Sequence, residues 1–236
     1  MKFNYHPKNK LEKFGVKVYN LLVDNFPQTF FVGGMVRDSL LNKTITDVDL
    51  ATEATPEQIL KILLPPGILA DDKHKNFGTI TAKQGNLAVE ITTFRKDLKS
   101  AGRYNKVRFI KSAKIDSQRR DFTVNSLYLS LKNKEIKDYV CGVADIQAKQ
   151  INFIGKAENR IKQDPLRIIR ALRFCLALNF TLENKTKSVI KNNFSLLEQL
   201  TKTKIKKEII KLKSGVDKKI LEKVINNPKL LDKYFK

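Results

Sequence analysis

Cysteine and histidine are scarce in this chain: there are two of each among 236 residues, and Cys141, Cys175, His6 and His74 stand far apart. That spacing excludes a zinc site built on close ligand pairs. It leaves the two thiols as reduced, buried groups of an intracellular protein. No apolar run approaches the ~18 residues that a membrane-spanning helix needs, and the amino-terminal MKFNYHPKNK lacks the apolar stretch of a secretory signal. A cytoplasmic protein with no membrane partner is the expectation. Acidic residues are also short, 24 Asp plus Glu against 46 Lys plus Arg, for a net charge of +22. Such an imbalance points to a polyanionic partner or, failing that, to a Lys-rich solubilising surface. Arginine is the scarcer base, with every Arg lying between Arg37 and Arg173. Where Lys is the default cation, an Arg marks a place that needs a rigid, bidentate fork.

What is present is organised around Phe30 to Ala54, FFVGGMVRDSLLNKTITDVDLATEA. Apolar residues from Thr29 to Val32 predict a short strand. A Gly33-Gly34 turn follows, then a short helix with Met35, Val36, Leu40 and Leu41 on its apolar side, and then a strand carrying Asp47 and Asp49. Side chains two apart on a strand share a face, so the two carboxylates converge. Their repulsion is relieved when a divalent cation lies between them, and Mg²⁺ with a phosphate-bearing substrate is the ordinary occupant of such a pair. The glycines permit close backbone approach to an anion. An isolated DxD is otherwise a common surface turn.

The residues Gly33, Gly34, Val36, Arg37, Asp38, Leu40, Leu41, Asp47, Asp49, Ala51 and Thr52 form the pattern GGxVRDxLLxxxxxDxDxAT. This resembles the signature of the class II template-independent nucleotidyltransferases, which include the tRNA CCA-adding enzymes and bacterial poly(A) polymerases. The resemblance implies that Asp47 and Asp49 hold the catalytic metals and that the Gly33-Gly34 backbone and Arg37 meet the triphosphate.

Further along, Thr55-Pro56-Glu57 signals a capped helix start, ended by Pro65-Pro66-Gly67. Two β-rich runs then flank Gln84-Gly85-Asn86, a hairpin signal. In the second run Val89 and Ile91 alternate with Glu90, which faces away from the apolar side and is free to stand as a third carboxylate or simply to face solvent. His74, Phe77 to Ile80 and Glu90 to Arg95 resemble the family's HGTV and EVTTFR elements, which makes Glu90 a catalytic candidate. Residues 96 to 110 are polar and contain a glycine, with KSAGRYNK, Lys99 to Lys106, reading as a mobile loop, within which Arg103 is the residue to match to the family's flexible loop.

The string from Asp116 to Asn125 contains RRDFTVN. Two arginines beside Asp and Asn suit a clamp on phosphate and ribose, and the string resembles the family's RRDFTxNA, which assigns Arg120, Asp121 and Asn125 to the nucleotide. DYVCGVAD, Asp138 to Asp145, resembles DxxGGxxDL with Cys141 where a glycine is usual, and Cys141 reads as a packing residue. Beyond Ile151 the periodicity is helical. Pro165 marks a helix start, and Arg167, Arg170 and Arg173 recur every third residue on an otherwise apolar helix. Buried unpaired arginines are costly, so these face something polar, either carboxylates of the sheet domain or a ligand. Asp164 and Arg167 match the family's EDxxR motif, whose Asp and Arg select the incoming base, with Gln163 in place of its Glu. Residues 181 to 236 hold 15 Lys, six Asp plus Glu and no Arg, a composition suited to non-specific phosphate contacts. Within it Thr201, Lys204, Glu208 and Lys211 faintly resemble the family's neck pattern.

The expected fold is α+β: a nucleotidyltransferase-type mixed-sheet head over 1–145, then an all-helical neck and basic RNA-contacting region over 146–236, with the family's body and tail reduced or absent. The implied reaction is template-independent addition of C and A from CTP and ATP to the 3′ end of tRNA by a two-metal mechanism, with Mg²⁺ as cofactor and pyrophosphate as product. The sites implied are Asp47, Asp49 and Glu90 for catalysis, and Gly33, Gly34, Arg37, Arg120, Asp121, Asn125, Asp164, Arg167, Arg170 and Arg173 for the nucleotide. A partial CC- or A-adding enzyme, a poly(A) polymerase, a non-catalytic RNA-binding module, and a chain that works as an oligomer or with a partner subunit remain open.

Overall fold

The computed structural model describes residues 1–98 and 107–235. The chain divides into two compact units, one of residues 1–120 and 125–140, the other of residues 121–124 and 141–236.

The first unit is built on a seven-stranded sheet. A helix α1 (Lys10–Val23) precedes strand β1 (Thr29–Val32), which leads through helix α2 (Gly34–Leu40) to β2 (Asp49–Thr52). Helix α3 (Pro56–Leu63) follows with the expected start: Thr55 and Gln58 form a reciprocal capping box and Pro56 opens the helix. Strands β3 (Leu69–Asp71), β4 (Thr79–Gln84) and β5 (Leu87–Thr93) come next. The β4–β5 hairpin turns through Gly85, whose φ of 58° suits its glycine. Short strands β6 (Arg95–Asp97) and β7 (Val107–Phe109) pair with each other, and the loop expected over Lys99 to Lys106 falls between them, outside the described residues. Arg103 lies outside the described residues. Helix α4 (Ala113–Arg119) and strands β8 (Leu127–Ser130) and β9 (Glu135–Asp138) complete the unit. The strand order is β3-β4-β5-β2-β1-β8-β9, antiparallel except for β2 beside β5.

The two sheet faces are covered by different residues. On one, the Tyr19 ring of α1 stacks on Phe31 at 5.3 Å. Gly15, in the middle of that helix, permits the approach: a β-carbon there would lie 2.7 Å from Val48 Cγ1 and 3.3 Å from Phe31 Cε1. A mid-helix glycine costs about 1 kcal/mol relative to alanine, and here it seats α1 against the residue between Asp47 and Asp49. On the other face Phe30, Val32, Ala51, Phe94 and Tyr128 pack with Ala113 of α4.

The second unit is helical: α5 (Gly142–Gln147), α6 (Ala157–Gln163), α7 (Leu166–Leu178), α8 (Asn184–Asn192), α9 (Lys202–Ile210), α10 (Gly215–Asn226) and α11 (Leu231–Tyr234). Residues 121–124 belong to it because Asp121 and Thr123 exchange backbone bonds with Ile154 and Asn152, and the Phe122 ring sits 4.9 Å from Phe153 and 5.5 Å from Phe174. Cys175 is buried and its thiol is pushed up to about 12 by that burial. Cys141 corrects the expectation of a packed thiol: it is exposed. It stands before α5 at φ 63°, the left-handed conformation that a glycine would adopt more easily. Among the described residues, no helix is long and apolar enough to cross a membrane.

Candidate active site

The acidic group forms where the central strands end. Gly33 leaves β1 at φ 73°, and a β-carbon on it would lie 3.2 Å from Asp49 Oδ2, so the turn and the carboxylate occupy adjoining space that only glycine leaves open. This turn also removes the antiparallel partner beyond Val32, which is paired with Asp49. The second strand therefore begins at Asp49, and Asp47 lies just before it rather than within it. That corrects the expected strand register. Asp47 is exposed, and one carboxylate oxygen accepts a bond from the Thr46 hydroxyl at 3.0 Å. Glu90, exposed on β5, is the register partner of Asp49 in the parallel pair, with Val89 and Ile91 buried on the opposite side. Cross-strand partners project to one face, so Glu90 and Asp49 stand side by side.

Burial and the neighbouring Glu90 raise the Asp49 carboxyl to about 6, Arg120 opposes the rise, and Asp47 adds to it. The sign of the linkage follows. A carboxyl whose folded-state pKa lies above its unfolded value binds more protons when folded, so its contribution to stability falls as pH rises from about 4 to about 6. Asp49→Asn is therefore expected to melt higher than the wild-type chain at pH 8 in metal-free buffer, with the gain shrinking by pH 4. A variant that melts lower than wild type at pH 8 would show that the carboxylate is not crowded.

Among the described residues, no three Asp, Glu, His or Cys side chains close into a metal-enclosing group. The donor set is thus an open one of one or two carboxylates with room beside Gly33. It fits a cation that takes the rest of its shell from substrate phosphates and water, as Mg²⁺ does, and not a caged metal.

Arg37 and Asn125, assigned from sequence to phosphate and sugar, meet in one network. Arg37 donates from Nε and Nη2 to the two oxygens of Asp38 at 2.9 and 2.8 Å and from Nη1 to Asn125 Oδ1, and it is only 8% exposed. Arg120 donates from Nη2 to Asp116 at 3.3 Å and from Nε to the Tyr128 hydroxyl at 2.9 Å.

The helical unit holds a second cluster. Asp121 accepts from Arg167 Nε at 2.6 Å and pairs with Arg170 and, at 3.9 Å, with Arg160. Arg167 Nη1 also donates to the Arg160 carbonyl at 2.7 Å and to Gln163 Oε1 at 3.3 Å. Arg167 is joined to Asp121, while Asp164 accepts from the Leu166 backbone N–H at 3.1 Å at the start of α7, the ordinary service of an Asp at a helix entry. Arg173 stands apart from the cluster: it donates to Glu208 of α9 at 3.0 Å and its guanidinium covers the Phe174 ring. A three-residue step advances about 300° around a helix, so three successive arginines spread over roughly 120° of the surface.

The residues missed from sequence are the partners: Asp116 and Tyr128 beside Arg120, and Arg160 beside Asp121. Asp116 was within reach, since it lies three and four residues before Arg119 and Arg120, the helical spacing of ion pairs.

A mixed sheet with an acidic pair against a glycine turn, followed by helices, has the architecture of a nucleotidyltransferase head and neck. The poly A polymerase head domain family matches residues 29–152, more than half of the chain, and the chain belongs to that family. It is 40% identical to the CCA-adding enzyme of Lactobacillus delbrueckii subsp. bulgaricus over 80% of this chain and 47% of the relative. The solved structure of the Bacillus stearothermophilus CCA-adding enzyme in complex with CTP matches with a TM-score of 0.76 and 32% identity, covering 87% of this chain and 49% of that one. A tRNA nucleotidyltransferase complexed with a primer tRNA and an incoming ATP analog matches with a TM-score of 0.70 and 31% identity, over 86% of this chain and 58% of that one. The chain thus spans about half the length of the curated relatives it matches.

Proposed function

We propose that this chain is a cytoplasmic tRNA nucleotidyltransferase that adds C and A from CTP and ATP to the 3′ end of tRNA without a template. The observation that carries the reading is the placement of Asp49 against the Gly33 turn with Asp47 and Glu90 beside it, within the stretch that matches the family. A head over residues 1–145 and a helical neck and basic RNA-contacting region over 146–236 divide the work. Similarity to enzymes solved with CTP, with an ATP analog and with primer tRNA supports the choice of substrates.

In the reaction, the terminal 3′-hydroxyl oxygen forms a bond to the α-phosphorus of the incoming nucleotide. The bond to the β-phosphate breaks, pyrophosphate leaves with the electron pair, and the hydroxyl proton passes to water. Mg²⁺ bound at Asp47 and Asp49 would lower the pKa of that hydroxyl and offset charge on the phosphates. Asp47 and Asp49 supply the hard oxygen ligands. Glu90 adds negative charge beside Asp49 and so favours a bound cation. Gly33 and Gly34 keep the backbone close to the triphosphate. Arg37 and Asn125 hold each other in the geometry that meets phosphate and sugar, Arg120 adds a fixed positive charge, and Asp164 and Arg167 are assigned the base edge, with Asp121 orienting Arg167 and Arg170.

A second reading is favoured by one finding, the match to a family described as a poly A polymerase head: a chain that adds A alone, or only part of CCA. One assay separates these. Purified chain is given Mg²⁺ and CTP, ATP or both, on tRNAs ending before, within and one nucleotide short of CCA. Stepwise completion of CCA is the expected result. Growth of a long A tract supports the second reading, and absence of any Mg²⁺-dependent incorporation overturns nucleotidyl transfer by this chain alone and favours a non-catalytic module or a missing partner subunit.

A further inference from the structure

Asp116 is fully buried in the middle of α4, yet four donors from three elements converge on its carboxylate. These are the Arg95 backbone N–H at the start of β6 at 3.1 Å, Arg119 Nε at 2.8 Å, Arg120 Nη2 at 3.3 Å, and the Tyr128 hydroxyl of β8 at 2.7 Å. A carboxylate is expensive to bury unless such partners compensate it. Burial alone would raise its pKa, but Arg120, Arg119 and the Tyr128 bond together hold it below the usual range.

Tyr128 is the second half of the device. Its hydroxyl accepts from Arg120 Nε at 2.9 Å while donating to Asp116, which uses the group as acceptor and donor in one relay. Its ring also lies under the Arg120 guanidinium, 5.2 Å from the centroid. The fork of Arg120 is thus fixed by two hydrogen bonds and one aromatic face.

The sheet register says where that fork is delivered. Tyr128 is paired with Val32, Val32 with Asp49, and Asp49 with Glu90, so four strands place one row of residues on one face. Tyr128 stands two strands from Asp49, about 10 Å at the usual strand spacing, a span that an arginine side chain crosses. Electrostatic coupling between Arg120 and Asp49 agrees with that placement. Asp49 also attracts Arg120 electrostatically, so a fork released by Asp116 is drawn toward that carboxylate and into a cation's place.

We infer that Asp116 and Tyr128 are positioning residues for nucleotide binding: they hold the Arg120 guanidinium beside, but off, Asp49, so that it meets the phosphates of a nucleoside triphosphate. The assignment rests on the nucleotidyl-transfer reading above.

The test follows two signals on the whole chain. One is the Arg120 Nε–H resonance, observed by NMR and assigned by its loss in Arg120→Ala. The other is the affinity for CTP with Mg²⁺ by calorimetry, in Asp116→Asn, Tyr128→Phe, Arg120→Ala and the two double variants. Tyr128→Phe keeps the ring and the packing, so it remains informative if Asp116→Asn fails to fold. The expected result is a wild-type Nε–H protected from exchange with water, loss of that protection in both single variants, and CTP affinity reduced about five- to tenfold in each. In the Arg120→Ala background the same changes should cost less than about twofold, because positioning acts only through Arg120. Equal losses with and without Arg120, or an unchanged Nε–H in both variants, would overturn the proposal and leave Asp116 as a structural carboxylate. A wild-type chain that binds no CTP while its Arg120 signal is protected overturns the nucleotidyl-transfer reading, and this assignment with it. Normal CTP binding that neither variant changes overturns this assignment alone.

Discussion

With Asp49 replaced by Ala, incorporation of nucleotide into a tRNA 3′ end is expected to fall by about 100- to 1,000-fold, the loss usual when a group stabilising transition-state charge is removed. Asp47→Ala should behave alike, although Asp47 is exposed and precedes the strand, because a cation drawn to the pair needs both sets of oxygens. Neither change removes a basic residue, so tRNA binding measured by gel shift should remain within about twofold of wild type. The stability result distinguishes lost chemistry from a lost fold. Asp49 is crowded by Glu90 and Asp47, so its removal relieves repulsion and the variant should melt no lower than wild type at neutral pH. Retention of more than about a tenth of wild-type incorporation by both variants would remove the carboxylates from the mechanism.

The elements around Asp49 were legible because they obey local rules. The strand at Thr29 to Val32, the Gly33 turn, the Thr55-Pro56 helix start and the Gly85 hairpin are each set by a few adjacent residues, and each is found where expected. The alternation of Val89, Glu90 and Ile91 likewise gave the exposed side of β5. What was not legible depends on contacts distant in sequence. Asp47 falls outside β2 because Gly33, 14 residues earlier, turns the partner strand away. Nothing near Arg167 announces that its carboxylate is Asp121, 46 residues back, or that Arg173 belongs to Glu208, 35 residues ahead. An ion pair is recognisable in sequence at helical spacing, as for Asp116 with Arg120. Once its partners lie on separate elements, spacing carries no signal.

The Asp121 cluster gives the second large effect, and the charges decide its order. Three guanidinium groups, Arg160, Arg167 and Arg170, pair with one carboxylate whose side chain is 11% exposed. Asp121→Asn leaves three like charges facing one another without the carboxylate they share. Breaking a buried pair in this way typically costs about 3 to 5 kcal/mol, which for a unit of this size corresponds to a fall in melting temperature of more than about 10 °C. Arg167→Ala removes one positive charge from an excess of them, and Asp121 keeps Arg170 and Arg160. It should therefore be the milder change, about 1 to 2 kcal/mol, set by lost hydrogen bonds to Asp121, the Arg160 carbonyl and Gln163. Far-ultraviolet circular dichroism melts, which follow the helical unit, give the comparison. A more destabilising Arg167→Ala would mean that Arg167, not Asp121, is the keystone of the cluster. The nucleotide assays then separate structure from selection. If Arg167 also addresses the base edge, Arg167→Ala alters the ratio of CTP to ATP incorporation by about five- to 100-fold, since a bidentate contact supplies roughly 1 to 3 kcal/mol of discrimination. An equal fall for both nucleotides, matched by the fall in melting temperature, would confine Arg167 to holding Asp121.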